Sequence, residues 1–329
     1  MAKKLRWGIL STANIGIKSV IPALQASSNG EVVAVSSRNQ DKAQEVAQKL
    51  DISQAYGSYE EMLASDIDAV YNPLPNSLHK EWTIKALRAG KHVLCEKPLG
   101  VDAQECEEMA AAAQENGVLL MEAFMYRFHP RFAKLTELLA QGTIGELKLV
   151  RSTFSFKLDR KGDIRFQADL GGGALFDVGC YCVNASRTLA GEEPVSAQAY
   201  ASWTDTGVDE VLVGALRFPS GVLAQIDCGL ALDRREFLEV VGSEGRLELA
   251  DAFTSKHKEA LIVEKRQGQE DKTHRVPSAD PYKEMAEHFA ACALENKPLR
   301  YPASEAAANM RTIEALLRSA RRNSPNASL

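Results

Sequence analysis

From residue 5 onward, short apolar runs alternate with longer stretches in which apolar positions recur every third and fourth residue. The runs 5–10, 32–36, 69–72, 92–95 and 118–121 read as buried strands, and the stretches 15–26, 41–50, 77–89 and 102–115 as the helices between them. Such strand-helix alternation implies a parallel, doubly wound sheet with helices on both faces. After a helix expected at 130–141 the period changes to two, over 147–158, 197–203, 210–218, 223–230 and 237–241. Pro219-Ser220-Gly221 and Gly242-Ser243-Glu244-Gly245 separate successive runs, which suits hairpins. Further helices are expected at 175–189, 282–295 and 304–321. The fold class is therefore α/β, with a doubly wound domain over 1–122. A second, α+β domain over 123–329 carries a large, open, mostly antiparallel sheet, and its C-terminal helix packs back on the first domain.

Length and charge narrow the function. The 329 residues suffice for two ordinary cores, and a net charge of -5 with scattered lysine and arginine gives no phosphate-tracking face, so nucleic acid is not an expected partner. Six cysteines form no CxxC pair and read as buried thiols of a reducing cytoplasm, and no apolar run is long enough for a membrane helix. The six histidines show no ligand spacing, so no metal is expected.

The first strand runs into Gly8-Ile9-Leu10-Ser11-Thr12-Ala13-Asn14-Ile15-Gly16, where Ser11, Ala13 and Gly16 stand at the three glycine places of GxGxxG. A strand before this turn and a helix after it leave amides free for an anion, so residues 11–15 are candidate pyrophosphate contacts; a tight turn without ligand is the alternative. The second strand ends in Val35-Ser36-Ser37-Arg38, without the carboxylate that bonds a ribose 2'-hydroxyl. Ser37, Arg38 and Lys42 suit a 2'-phosphate instead, favouring NADP over NAD. Dual use also fits, as does a solvated Arg38 and Lys42 pair with Asp41 as the helix cap. Pro73, Leu74, Asn76 and His79, at the exit of the strand 69–72, can reach cofactor ribose or substrate, although a capping or core role for His79 is equally consistent.

Glu96-Lys97-Pro98 leaves the strand 92–95 at the edge where such sheets bind ligands, making Lys97 a candidate proton donor or acceptor. Asp177 and Tyr181, four apart in a helical stretch after Gly171-Gly172-Gly173, project from one face and can meet one substrate; a packed aromatic is the plainer reading of Tyr181.

Together these segments resemble the Gfo/Idh/MocA oxidoreductases. Tyr181, Glu122-Ala123-Phe124-Met125-Tyr126-Arg127-Phe128-His129-Pro130 and the glycine-led segment resemble the subgroup of dihydrodiol dehydrogenases and NADP-dependent D-xylose dehydrogenases. The resemblance implies a Rossmann domain, a cis Lys97-Pro98 bond and an open sheet supporting a homodimer or homotetramer. It also implies that Glu96, Lys97, Arg165 and Tyr282 approach the cofactor, and that Lys97, Arg165, Asp177 and Tyr181 bind a small carbohydrate or diol. Lys97 and Tyr181 are then expected to share the proton role while Asp177 orients hydroxyls, and residues 126–129 and 157–168 to shape the pocket. Reduction of a keto-sugar or dicarbonyl by NADPH, of the 1,5-anhydrofructose reductase type, uses the same residues in reverse. A non-catalytic NADP sensor is the third reading.

Overall fold

The computed structural model describes residues 3–159, 162–254 and 259–323. It resolves into two compact units: one runs to Phe128 and includes Asp280–Ala307, the other takes His129–Ala279 and the chain from Ala308. The crossing thus lies at 128/129 rather than 122/123, and the chain returns to the first unit with the helix α8 (Pro281–Glu295). The last helix, α9 (Ser304–Arg322), enters the second unit at Ala308, so it is α8 that packs back on the first.

In the first unit six parallel strands, β1 (Leu5–Leu10), β2 (Gly30–Ser36), β3 (Gln54–Tyr56), β4 (Ala69–Asn72), β5 (His92–Cys95) and β6 (Leu120–Glu122), stand in the order β3-β2-β1-β4-β5-β6. These strands are apolar on both faces because helices cover both, and Trp7, Ile9, Val70, Val93 and Leu94 have no exposed surface. The order reverses between β1 and β4, and right-handed crossovers put the two sets of helices on opposite faces. The loops at the carboxyl ends of β1 and β4 therefore flank a crevice. α8 adds to this core, where Phe289 meets Trp7 at 5.3 Å between ring centres.

Sequence periodicity does not reveal β3, three residues long and partly exposed, or α3 (Tyr59–Leu63). The helix α2 (Gln40–Lys49) is capped by Asn39, whose side chain accepts the Lys42 N–H, so Asp41 is a first-turn residue and not the cap.

The second unit holds an eight-stranded sheet in the order β14-β13-β12-β11-β7-β10-β9-β8. Its strands are β7 (Leu147–Lys157), β8 (Ser196–Trp203), β9 (Asp209–Arg217), β10 (Leu223–Gly229), β11 (Ala231–Gly242), β12 (Arg246–Ala250), β13 (Ala260–Lys265) and β14 (Lys272–Val276). All pairings are antiparallel except β7 with β10. Alternation buries Val150, Phe154, Leu212, Ile226, Leu238 and Val240 on one face. The other face presents Tyr200, Val213, Asp227, Thr153 and Phe237 in one cross-strand row.

Candidate active site

In the first unit, Ser11 follows β1 with φ of 67°, the left-handed conformation a glycine supplies at the first place of the motif. Its hydroxyl accepts the Ala13 N–H at 3.3 Å. Asn14 opens the helix, so the first amides after Ala13 lack intrahelical partners. This turn fits a pyrophosphate even though serine and alanine replace two glycines. At the end of β2 no carboxylate stands where the ribose 2'-hydroxyl would need one. Arg38 is exposed beside the Tyr59 phenol, which burial pushes up and Arg38 pulls down, and Lys42 is exposed on the first turn of α2. Two cations at this strand end fit a phosphate. Ser37 is buried, and its hydroxyl accepts the Asn39 N–H, holding the same loop.

Lys97 follows β5 and is partly buried, its peptide bond to Pro98 is cis, and its backbone is held from three sides. The Lys97 N–H meets Glu96 Oε2 at 3.3 Å, and the other Glu96 oxygen accepts the Tyr71 hydroxyl at 2.7 Å. Burial and Glu96 push the Tyr71 phenol well up, so it stays a donor, and Tyr282 adds to that effect from the same unit. Pro98 O meets Nδ1 of His79 at 2.9 Å, and the Leu99 N–H donates to Glu122 Oε1 at 2.8 Å. His79 and Glu122 thus grip both sides of the turn that presents Lys97.

Of the two roles the sequence leaves open for His79, this is the core one rather than a cofactor or substrate contact. The ring is wholly buried, and its Nε2 meets Leu74 O at 2.8 Å. Both partners are backbone carbonyls, so the ring ties the β4 exit to the Lys97 turn. Burial pushes its pKa down to about 4 despite the two carbonyls, so at neutral pH the ring holds one proton and donates to one of the two carbonyls, whichever its tautomer selects. Asn72, also buried, donates to Thr83 and accepts the Leu74 N–H, fixing Pro73 and Leu74. Asn76 begins a short 3-10 turn and is partly exposed.

In the second unit, Asp177 lies in a π turn, Leu175–Gly179, that runs into α7 (Cys180–Ala190), where Tyr181 sits. Arg165 donates through Nε to Asp177 at 2.7 Å and through Nη1 to Asp163 at 3.1 Å. Burial opposes the guanidinium charge, and the two carboxylates more than restore it. Arg165 is thereby committed first to Asp177. Tyr181 is buried between Phe154 and Phe253, at 5.4 and 5.5 Å between ring centres. The ring is thus fixed by its neighbours, as the packed-aromatic reading expects.

The segment expected to shape a pocket divides between the units. Tyr126 is buried against Phe124, Arg127 donates to Glu305 and stacks on Tyr301, and Phe128 packs on His288, all within the first unit. His129 caps α6 (Pro130–Ala140) in the second, accepting the Arg131 N–H. Of residues 157–168, Arg160 and Lys161 lie outside the described residues. Among the described residues no group of histidine, cysteine and carboxylate side chains could hold a metal ion, and no helix is long and apolar enough to cross a membrane.

Sequence reasoning missed Tyr71 and the gripping role of Glu122. A carboxylate at the carboxyl end of the buried strand β6 was the available signal for the latter.

Comparison with known proteins agrees with this geometry. Residues 5–124 match the family model described as an oxidoreductase family with an NAD-binding Rossmann fold, and residues 132–248 match the GFO/IDH/MocA C-terminal domain. The chain is 41% identical over 321 residues to the D-xylose 1-dehydrogenase (NADP(+)) 2 of Haloferax volcanii, covering 96% of this chain and 97% of that protein. It is 40% identical over 253 residues to the human trans-1,2-dihydrobenzene-1,2-diol dehydrogenase, covering 74% of each. A 3-ketoreductase from Actinomadura kijaniata, solved with NADP and TDP-benzene, superposes with a TM-score of 0.90 at 33% identity, covering 96% of this chain and 98% of that one. Two family models in tandem and the near full-length likeness to the Haloferax volcanii protein show that the chain belongs to the Gfo/Idh/MocA oxidoreductase family.

Proposed function

We propose that this protein is an NADP(H)-dependent oxidoreductase acting between a hydroxyl and a carbonyl on a sugar, polyol or vicinal diol. The observation that carries the reading is Lys97, partly buried at the carboxyl end of β5 on a turn gripped by His79 and Glu122. In the same unit, the β1 turn suits a pyrophosphate and the carboxylate-free β2 end suits a 2'-phosphate. The relative from Haloferax volcanii is named for NADP(+) and D-xylose, and the diol dehydrogenases for a trans-diol.

Bound nicotinamide supplies or accepts the hydride at its C4. Ser11 to Ile15 would hold the pyrophosphate, Ser37, Arg38 and Lys42 the 2'-phosphate, and Pro73, Leu74, Asn76, Glu96 and Tyr282 the ribose and nicotinamide. Lys97 takes the hydroxyl proton during oxidation and returns it during reduction, a role worth ~10²- to 10⁴-fold. Tyr181 shares that proton, and Asp177 orients the substrate hydroxyls from the same helix. Arg165 keeps Asp177 aimed and adds a cation for the substrate or cofactor.

Reduction of a keto-sugar is the second reading, favoured by 34% identity over 299 residues to the dTDP-3,4-didehydro-2,6-dideoxy-alpha-D-glucose 3-reductase of Actinomadura kijaniata. One site serves both directions, so the residues keep their roles. The open sheet face, with Tyr200 64%, Val213 50% and Leu223 49% exposed, buries itself against a second copy in a homodimer or homotetramer. Six buried free thiols suit a reducing, cytoplasmic setting.

The test is a panel of aldoses, diols, keto-sugars and dicarbonyls assayed with NADP and NADPH in both directions. Turnover of an aldose or diol with NADP supports dehydrogenation, whereas faster consumption of NADPH with a ketone supports the reductase. Tight NADPH binding with no turnover anywhere would sink both and leave a sensor.

A further inference from the structure

The helix that carries Asp177 and Tyr181 has no cap of its own: Ala174 precedes its first turn with a helical φ of -63° and no side-chain hydrogen bond. The missing acceptor comes from another part of the chain. Asp209, the first residue of β9, is 2% exposed, and its Oδ2 accepts the Leu175 N–H at 2.7 Å. Its Oδ1 fills the space above Gly173, where an added Cβ would lie 2.3 Å from it. Gly173 also has φ of 121°, so only glycine lets the backbone come this close in this conformation.

The same peptide is fixed on its other side. The Gly173 N–H donates to Arg165 O at 2.8 Å, and the Asp177 N–H closes the first turn onto Gly173 O at 3.0 Å. Farther along, a Cβ on Gly179 would sit 2.7 Å from Cys228 Sγ on β10, so the helix also lies directly on the sheet there. Asp177 stands between these two close approaches, and Tyr181 just beyond the second.

We propose that Asp209 is a positioning residue for the reaction, its carboxyl group capping the helix from a distant strand and setting where Asp177 and Tyr181 stand. This rests on the reading of those two side chains as substrate groups. A buried carboxyl is a costly way to cap a helix, and burial pushes this one up to about 7. Asparagine would satisfy the same N–H without that cost. Loss of the acceptor leaves the Leu175 N–H unpaired and frees the first turn. Misplacement of a reacting group by about 1 Å costs on the order of 10²-fold in rate.

The experiment compares Asp209→Ala, Asp209→Asn and Gly173→Ala with the parent. It uses deuterium exchange of the peptide spanning residues 174–182, NADPH affinity, and kcat and KM for whichever aldose or diol is turned over fastest. In Asp209→Ala exchange of that peptide should quicken and kcat fall about 10- to 100-fold, while NADPH affinity stays within about twofold. Asp209→Asn should keep slow exchange and most of the turnover, since its amide oxygen still accepts. Gly173→Ala should behave like Asp209→Ala. A residue that only stabilised the fold would lower the melting temperature and leave kcat intact.

Unchanged exchange in Asp209→Ala, or equal loss of kcat in the asparagine variant, overturns the proposal. Tyr181→Phe and Asp177→Asn, measured alongside, test the underlying reading separately. Normal turnover in both would refute the substrate role while exchange still judged the cap.

Discussion

His79 offers a perturbation whose size and pH dependence follow from its surroundings. Its ring is fully buried between Leu74 O and Pro98 O, and burial holds its pKa at about 4 against an ordinary 6.5. The native state therefore refuses a proton that the unfolded chain accepts, and stability is greatest above pH 6.5 and lost as pH falls towards about 4. At ~1.4 kcal/mol per unit, the whole interval bounds the loss at about 3 kcal/mol, and the part between pH 7 and 5 at about 2 kcal/mol. His129, also pushed down to about 4, follows the same direction, so only a difference between variants isolates His79. His79→Gln removes the titration and keeps one donor. At pH 7 it should be less stable by about 1 to 3 kcal/mol, because a flexible amide does not reproduce the rigid ring's fit between the two buried carbonyls. At pH 5 the gap should narrow by about 2 kcal/mol. Urea unfolding of both proteins at the two pH values reads this directly, with NADPH titration as the check on folding. A gap that stays constant between pH 7 and 5 would refute the claim that a neutral buried imidazole ties the Lys97 turn.

Glu122→Ala strips the acceptor from the buried Leu99 N–H and should cost about 1 to 3 kcal/mol in unfolding free energy, together with a fall in kcat. Glu122→Gln, whose amide oxygen still accepts, should recover most of both, and failure to do so would remove Glu122 from the grip. Arg38→Ala should weaken NADP binding about 10-fold or more and leave NAD binding nearly unchanged, because a charge-assisted contact to the 2'-phosphate is worth ~1.5 to 3 kcal/mol. Equal loss for the two dinucleotides, read by fluorescence titration, would argue that Arg38 serves only the Tyr59 contact.

Much of the architecture was legible because it rests on local periodicity. β1, β4 and β5 stand where the apolar runs place them, since a strand buried on both faces must be apolar along its whole length. The short β3 and the charged strands β12 to β14 were not legible, because their residues are half solvated and pairing with neighbours decides them. Ser11, Arg38 and Lys97 stand out as candidates through their position after a strand. What sequence could not show is which distant group completes each local geometry. Glu122 reaches Leu99, His79 joins Leu74 to Pro98, and Asp209 caps a helix that begins far upstream of it. His79 shows the consequence most plainly: its motif leaves a ligand contact and a core role equally open, and the ring nitrogens prove to be taken by backbone. The π turn holding Asp177 was equally hidden, since the sequence pattern of an α-helix and a π turn differ by a single residue per turn.

The account stands on the amine of Lys97 as the group that moves the proton. The direct measurement is single-turnover hydride transfer in Lys97→Met, followed at 340 nm in both directions, beside NADPH affinity in the same preparation. Transfer should slow by about 10²-fold or more in each direction with affinity within a few-fold of the parent. Transfer at the parent rate in a variant that binds NADPH normally would contradict it.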